Sequence, residues 1–274
     1  MFEWGGVAGG VMGVVNVTPD SFSGDGLSLD PDAAIARGIA LRDAGAAVLD
    51  IGGESSRPGA AVVPENEESA RVVPVIRALA QDSSVPISVD TTKAAVAAAA
   101  LDAGATIVND ISAGRHDPEM LRVVAESGAG YVAMHMQGDP TTMQDDPRYD
   151  DVVREVGDFL LERLDAAAAA GIATGSLMAD PGLGFGKTVA HNLTLLAAVS
   201  TLVERVGVPV LVGASRKGFI GRVLGVDDPA ARDDGTLATV VWALDQGATM
   251  VRVHDVRGAS RACALLSVLE GAAA

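Results

Sequence analysis

Eight apolar runs in this chain end on a polar residue: Asn16, Asp50, Asp90, Asn109, His135, Asp180, Ser215 and His254. Three of them, Asp90, Asn109 and Asp180, suit a ligand with a donor-rich heterocyclic edge. A carboxylate accepts two N–H bonds in a fork, and an amide both gives and takes. Cations fall close behind the same runs: Arg57 in GGESSRPGA, Arg216 and Lys217 in GASRKG, Arg252 and His254 in RVHDV. Together the two sets predict a neutral polar pocket beside an anion site. Polar groups buried without partners are costly, so a purely structural surface would not collect so many. For any single residue the competing reading is a helix N-cap, a place that Asp, Asn and Ser favour. Asp50, followed by Gly52-Gly53, is the most open to it.

Other chemistries find less support. DPGLGFGKT, residues 180–188, imitates the end of a phosphate loop. Pro181, however, stands where the first glycine of that motif must be, and proline has no N–H to donate. Lys187 therefore reads as a loop or rim residue and not as a phosphate anchor. His116, His135, His191 and His254 show neither HxH nor HExxH spacing, which argues against a zinc hydrolase. Cys263, in the last helical stretch, reads as core. A His254–Asp255 dyad is disfavoured because neighbours on a strand point to opposite faces.

The polar residues need elements to bring them together. The runs that carry them are VMGVVNVT from 11, AAVLDIG from 46, VPISVD from 85, ATIVNDI from 105, YVAMHM from 131, SLMADPG from 176, VPVLVGAS from 208 and TMVRVHDV from 249. Near-continuous hydrophobicity marks strands buried on both faces, the habit of parallel sheets. Helical segments alternate with them. Asp30-Pro31 opens one that Gly45 closes, and Asp117-Pro118 opens another that ends at Gly128. A third follows Tyr149, places Val152, Val156, Phe159 and Leu160 on one stripe, and stops at Gly171. The alanine runs 94–100 and 166–171 read as helix. Eight strands alternating with helices predict an α/β fold, a single (β/α)8 barrel over residues 1–274, with a doubly wound open sheet as the rival. In such a barrel the strand C-termini share one mouth, and QGDPTTMQDDPRYD, 137–150, is expected to lie over it.

Composition narrows the partners. The net charge of −16 argues against nucleic acid, whose phosphates leave a basic footprint. An anionic substrate would instead need the local cluster of Arg, Lys and His. An apolar fraction of 49% supplies a full-sized core. A single cysteine points to the reducing cytoplasm. Neither a signal peptide nor a membrane span is expected.

Seven motifs, GVVNVTPDSFSGDG, DIGGESSRPGA, ISVDTTKAAVAAAALDAGATIVNDISAG, MHMQGDPTTMQ, ADPGLGFGKTVAHN, VLVGASRKGFIG and RVHDV, occur in one register from about residue 11 to about 256. In that order they resemble dihydropteroate synthase, of the pterin-binding enzymes. The resemblance implies a TIM barrel that condenses 7,8-dihydropterin-6-ylmethyl diphosphate with p-aminobenzoate in folate synthesis, releasing pyrophosphate. By position it implies that Asp90, Asn109, Asp180 and Lys217 hold the pterin. Asn16, Ser56, Arg57, Arg252 and His254 would hold the diphosphate, with Mg2+ bound at Asn16. Catalysis would then rest on Asn16, Asp90, Lys217, Arg252 and His254. Phe22, Pro58, Phe185 and Gly218 would border the p-aminobenzoate pocket, where sulfonamides compete. It further implies a homodimer through the last barrel helices, near Trp242 and Leu244.

Two departures accompany it. SFSGDG stands where SFSDGG is common, displacing Asp25, and Gly218 replaces a hydrogen-bonding side chain after SRK. A corrinoid methyltransferase would share the pterin-facing residues but would not need Ser56, Arg57, Arg252 and His254. A non-catalytic binding protein would not need Asn16, Arg57 and Lys217.

Overall fold

The valine- and isoleucine-rich runs pair side by side as parallel strands in a computed structural model that describes residues 1–6, 10–18, 30–57, 59–82 and 85–273. The strands are β1 Gly10–Asn16, β2 Val48–Gly52, β3 Ile87–Asp90, β4 Ile107–Asp110, β5 Gly130–Met134, β6 Leu177–Asp180, β7 Leu211–Val212 and β8 Met250–Val253. Their order is β6-β5-β4-β3-β2-β1-β8-β7, and a parallel bridge from Ala179 to Val210 joins the two ends. The sheet thus closes into the predicted barrel, and the doubly wound alternative falls.

Helices return the chain between strands: α1 Pro31–Asp43, α2 Glu65–Asp82, α3 Ala94–Asp102, α4 Met120–Ser127 and α5 Val152–Ala169. After β6 come α6 Val189–Ala197, α7 Val199–Val206, α8 Gly218–Leu224, α9 Asp233–Asp245 and α10 Val256–Ala273. Local chemistry explains their ends. Asp30 accepts the Asp32 N–H at 3.0 Å with Pro31 in the first turn, and Gly45 leaves α1 at φ +101°. Asp117 opens the turn before α4 and also reaches the start of α3, accepting the Ala94 N–H at 2.8 Å. One carboxylate thus holds both the turn before α4 and the first N–H of α3.

Side-chain alternation divides the strands into two populations. Val15, Leu49, Val89, Val108, Ala133, Ala179, Val212 and Val251 point outward into the large core shared with the helices. Met12, Val48, Ile107, Val132, Met178, Leu211 and Met250 form a separate apolar cluster with Trp4 at the N-terminal end of the barrel. Trp4 is 1% exposed, and its indole N–H donates to the Ser176 carbonyl at 2.9 Å. Two residues further along the same strands the inward positions become polar: Asp50, Asn109, Asp180 and Arg252. The period of two therefore builds a dry floor and sets a charged layer on it.

Candidate active site

At the C-terminal ends of the strands lies a cavity of about 690 Å³. Asn16, Ser56, Arg57, Asp90, Phe185, Lys217, Gly218, Arg252 and His254 all line it, although they are scattered from β1 to β8. Asn109 and Asp180 sit alongside. Asp180 Oδ2 lies 3.8 Å from where a side chain on Gly213 would begin, and Gly213 is itself on the cavity wall. Phe22, Pro58 and Asp25 fall outside the described residues. The 137–150 segment crosses the mouth as expected: Met143 and Gln144 line the cavity, and the Gln144 amide donates to the Gly184 carbonyl at 2.6 Å.

The charged layer is a network. Arg252 Nε donates to Asp50 at 2.6 Å and its terminal nitrogen to Asp90 at 2.7 Å, while the Asn109 amide donates to Asp50 at 3.2 Å. Asp50 is therefore not a helix cap. It lies within β2, fully buried, and braces two neighbours that the sequence left unconnected to it. Arg252, expected among the diphosphate ligands, spans from that brace to Asp90, expected among the pterin ligands.

Burial governs the charge states here. It pushes the Asp90 carboxyl up to about 7 even though the Arg252 guanidinium pulls the other way. It likewise raises Asp180 against the pull of Lys217. Burial lowers Lys217 to about 8, opposed by Asp180 and assisted by Arg252. At neutral pH this sector holds an acid and a base close to their midpoints, so it can present donors or acceptors to a polar ring at little cost.

The second sector is cationic. The Ser215 hydroxyl oxygen accepts the His254 backbone N–H at 3.2 Å, and the hydroxyl is hydrogen-bonded to His254 Nδ1 at 2.8 Å, which fixes the orientation of the ring. Burial, then the charges of Arg216, Arg252, Arg37 and Arg57, lower His254 to about 3. The same arginines give this side of the cavity a local positive field despite the acidic chain. Asp255 takes no part: it accepts the Gly258 N–H at 3.1 Å and caps α10, so no His–Asp dyad forms. The Arg216 guanidinium, counted on the rim from sequence, is clasped by Asp233 at 2.7 and 2.8 Å.

Sequence reading missed the residues that hold the loops. Glu54 lines the cavity, accepts the Val63 N–H at 2.8 Å and is gripped by Lys93, which also grips the buried Glu68. This closes the loop bearing Ser56 and Arg57 onto the barrel. Asn192 is 1% exposed and its side-chain oxygen accepts the Gly184 N–H at 2.6 Å. Lys187 is a loop residue, as expected, and borders the cavity, but at 2% exposed it is enclosed instead of standing on the rim. The only local signal for either was the polar residue embedded in an otherwise glycine-rich or apolar stretch.

A family model described as pterin binding enzyme covers residues 12–254. The dihydropteroate synthase of Mycobacterium leprae is 51% identical over 253 residues, 90% of this chain and 88% of that protein. The Yersinia pestis dihydropteroate synthase, solved with a sulfonamide drug complex, superposes with a TM-score of 0.92 at 45% identity, covering 96% of this chain and 95% of that one. The Xanthomonas albilineans dihydropteroate synthase with 4-aminobenzoic acid gives 0.88 at 48% identity, covering 95% and 93%. A barrel whose mouth pairs a carboxylate–lysine sector with an arginine–histidine sector, matched at this identity along nearly its whole length, belongs to the pterin-binding enzymes and among them to the dihydropteroate synthases.

Proposed function

We infer that the cavity joins 7,8-dihydropterin-6-ylmethyl diphosphate to p-aminobenzoate, giving 7,8-dihydropteroate and pyrophosphate. The observation that carries this reading is the adjacency, in one cavity, of Asp90 and Lys217 with Arg57, Arg252 and His254. In the proposed course Asp90, Asn109 and Asp180 receive the N–H edge of the pterin, and Lys217, a donor only, takes a ring acceptor. Asn16, Ser56, Arg57, Arg252 and His254 hold the diphosphate. The C–O bond to the pterin methylene breaks and its electron pair leaves with the diphosphate. The electron-rich ring spreads the positive charge left behind. The aniline nitrogen, already neutral at neutral pH, forms the new C–N bond and gives up its proton. No protein nucleophile is required. The arginines and the His254 ring face the charge that grows on the leaving group, and electrostatics with positioning supply the rate.

Mg2+ fits the tip of β1. Asn16 offers a hard amide oxygen, and no group of three or more His, Cys, Asp or Glu forms a cage among the described residues. Mg2+ is content with one or two protein ligands when phosphate oxygens and water complete its shell. Bound at Asn16, it would neutralise charge on the diphosphate. The p-aminobenzoate subsite would be bordered by Phe185 and Gly218. A side chain added at Gly218 meets only Arg222, at 3.7 Å, so the missing hydroxyl leaves room beside a cation able to receive a carboxylate.

Purified protein with Mg2+ should release pyrophosphate only when both substrates are present, and Asp90→Asn should suppress it. Pterin binding without turnover would sink the catalytic reading in favour of a binding protein. No helix among the described residues is long and apolar enough to cross a membrane. With the single cysteine, this supports a cytoplasmic enzyme. A homodimer is supported by exposed Leu237, Val241 and Trp242 on α9 beside Leu265, Val268 and Leu269 on α10, whereas Leu244 packs against the core. Light scattering that gives a monomer mass would overturn it.

A further inference from the structure

The GFGK run that imitates a phosphate loop has found no place in the chemistry above, yet its lysine is among the most enclosed side chains of the protein. A lysine amine is above all a hydrogen-bond donor. Lys187 Nζ donates to the Gly182 carbonyl at 2.9 Å, the Phe185 carbonyl at 3.0 Å and, more weakly, the His135 carbonyl at 3.5 Å, and it is hydrogen-bonded to His135 Nδ1 at 2.9 Å. None of these partners carries a charge. Burial first, then nearby positive charge, keeps the His135 ring neutral, and burial likewise drives the Lys187 amine well below its usual value. A methionine would fill the same space without the cost of desolvating a cation. What it cannot do is turn two carbonyls of one loop and an imidazole on the next strand toward a single point.

The rest of the loop shows why that point matters. Gly182, Gly184 and Gly186 have φ of +64°, +82° and +62°, which leaves the loop without a regular backbone ladder. Instead each successive carbonyl takes a side-chain donor. Gly182 and Phe185 accept from Lys187, Leu183 from Lys217, Gly184 from Gln144 at 2.6 Å and Gly186 from the Tyr149 hydroxyl at 2.8 Å. Lys187 is the only one of these donors that binds two carbonyls, and it does so from inside. The loop is joined to the cavity at both ends. Asp180 Oδ1 accepts the Gly182 N–H at 2.7 Å, and the Phe185 ring lies 4.6 Å from Lys217 Nζ.

We propose that Lys187 is a positioning residue for the synthase reaction, an internal strut whose hydrogen bonds shape the 181–186 loop and thereby set Asp180 and Phe185 for the pterin and p-aminobenzoate. The proposal deepens the reading of the site given above and rests on it. It assigns Lys187 no contact with substrate. Its effect passes through the loop, so it must appear in substrate affinity and turnover and must depend on the side chain at the far end of the strut.

The test compares wild type with Lys187→Met, Lys187→Gln and Phe185→Ala, and with the double variant Lys187→Met/Phe185→Ala. It measures thermal midpoint, binding of 6-hydroxymethylpterin alone by fluorescence, and kcat and KM for each substrate from pyrophosphate release. A folded Lys187→Met enzyme is expected to lose on the order of 10- to 100-fold in kcat/KM, as for reacting groups displaced by about 1 Å. The KM for p-aminobenzoate should rise and pterin binding weaken. Lys187→Gln, which keeps two N–H donors, should recover part of that loss. Phe185→Ala should cost little more in the Lys187→Met background than Lys187→Met costs alone. Folded Lys187 variants with unchanged pterin binding, kcat and KM would overturn the proposal, as would fully additive losses in the double variant. If Lys187→Met does not fold, Lys187→Gln carries the test alone, and collapse of both would reduce the lysine to a stability role and equally overturn it. A wild type that binds pterin but releases no pyrophosphate would defeat the reaction reading, while the binding comparison would still decide whether Lys187 shapes the loop.

Discussion

The two ends of the barrel are built from the same strands and spend their buried volume differently. At the N-terminal end Met12, Val48, Ile107, Val132, Met178, Leu211 and Met250 form an apolar cluster with Trp4, whose indole N–H donates to the Ser176 carbonyl. Two residues along, Asp50, Asn109, Asp180 and Arg252 fill the equivalent positions, and burial displaces the ionisation of Asp90, Asp180 and Lys217. The first arrangement maximises the apolar area removed from water. The second holds charges out of water, which costs stability and leaves groups ready to meet a ligand. Stability and chemistry are thus segregated along the barrel axis, a residue pair apart.

Substitutions can break or sharpen that division. The largest effect is expected at Asp50, which braces Arg252 and Asn109 within the charged layer. Asp50→Leu strands Arg252 without its fully buried partner, so stability should drop by about 3–5 kcal/mol and pterin binding should fall with it. Denaturant unfolding and ligand titration on one preparation check this, and loss of only one property would show that the layers are independent. Trp4→Ala tests the dry end alone. It should cost about 3–5 kcal/mol in urea unfolding with kcat/KM unchanged in the fraction that remains folded. Lys217→Ala tests the charged end alone: turnover should fall by about 10²–10³-fold, by analogy with loss of a single preorganised donor, while the thermal midpoint holds or rises.

A smaller effect is expected from pH. Burial, reinforced by Lys187 and Arg115, lowers His135 to about 2, whereas the unfolded chain takes up that proton near 6.5. Depression of a folded-state pKa means stability that is present above the unfolded value and lost as pH falls. For this one group the loss is about 1.4 kcal/mol per pH unit. His135→Asn keeps an acceptor for Lys187 and cannot protonate. Its stability should therefore fall less steeply than wild type between about pH 6 and 4, by about 2–3 kcal/mol in all, and parallel profiles would refute the assignment. The smallest effect belongs to Asp255, at the chemical mouth but outside the chemistry. Asp255→Ala should remove the α10 cap for about 1 kcal/mol and leave kcat untouched. A changed rate would mean that it serves His254 after all.

The strand tips were legible because barrel geometry converts a linear rule, apolar run then polar end, into a spatial one. Asn16, Asp90, Arg252 and His254 therefore reach one cavity without any knowledge of register. Asp50 was misread because its sequence neighbours, Gly52 and Gly53, suggested a cap. Its true partners lie on β4 and β8, at separations of 59 and 202 residues. Lys187 was misread because a glycine-rich loop ordinarily exposes its lysine, and only the closure of the loop over His135 takes it out of water. Glu54 and Lys93 left no signal for the same reason: a salt bridge between residues 39 apart has no local pattern.

By itself the sequence determined the periodicity of the strands, the capping and termination of helices, and the kinds of group gathered at the mouth. These depend on backbone preference and on hydrophobic alternation between near neighbours. The tertiary structure alone decided which of those groups pair, which are buried, and hence what charge each carries. Ionisation responds to the surrounding dielectric and to charges brought close by the closing of the sheet, and neither exists until the chain has folded.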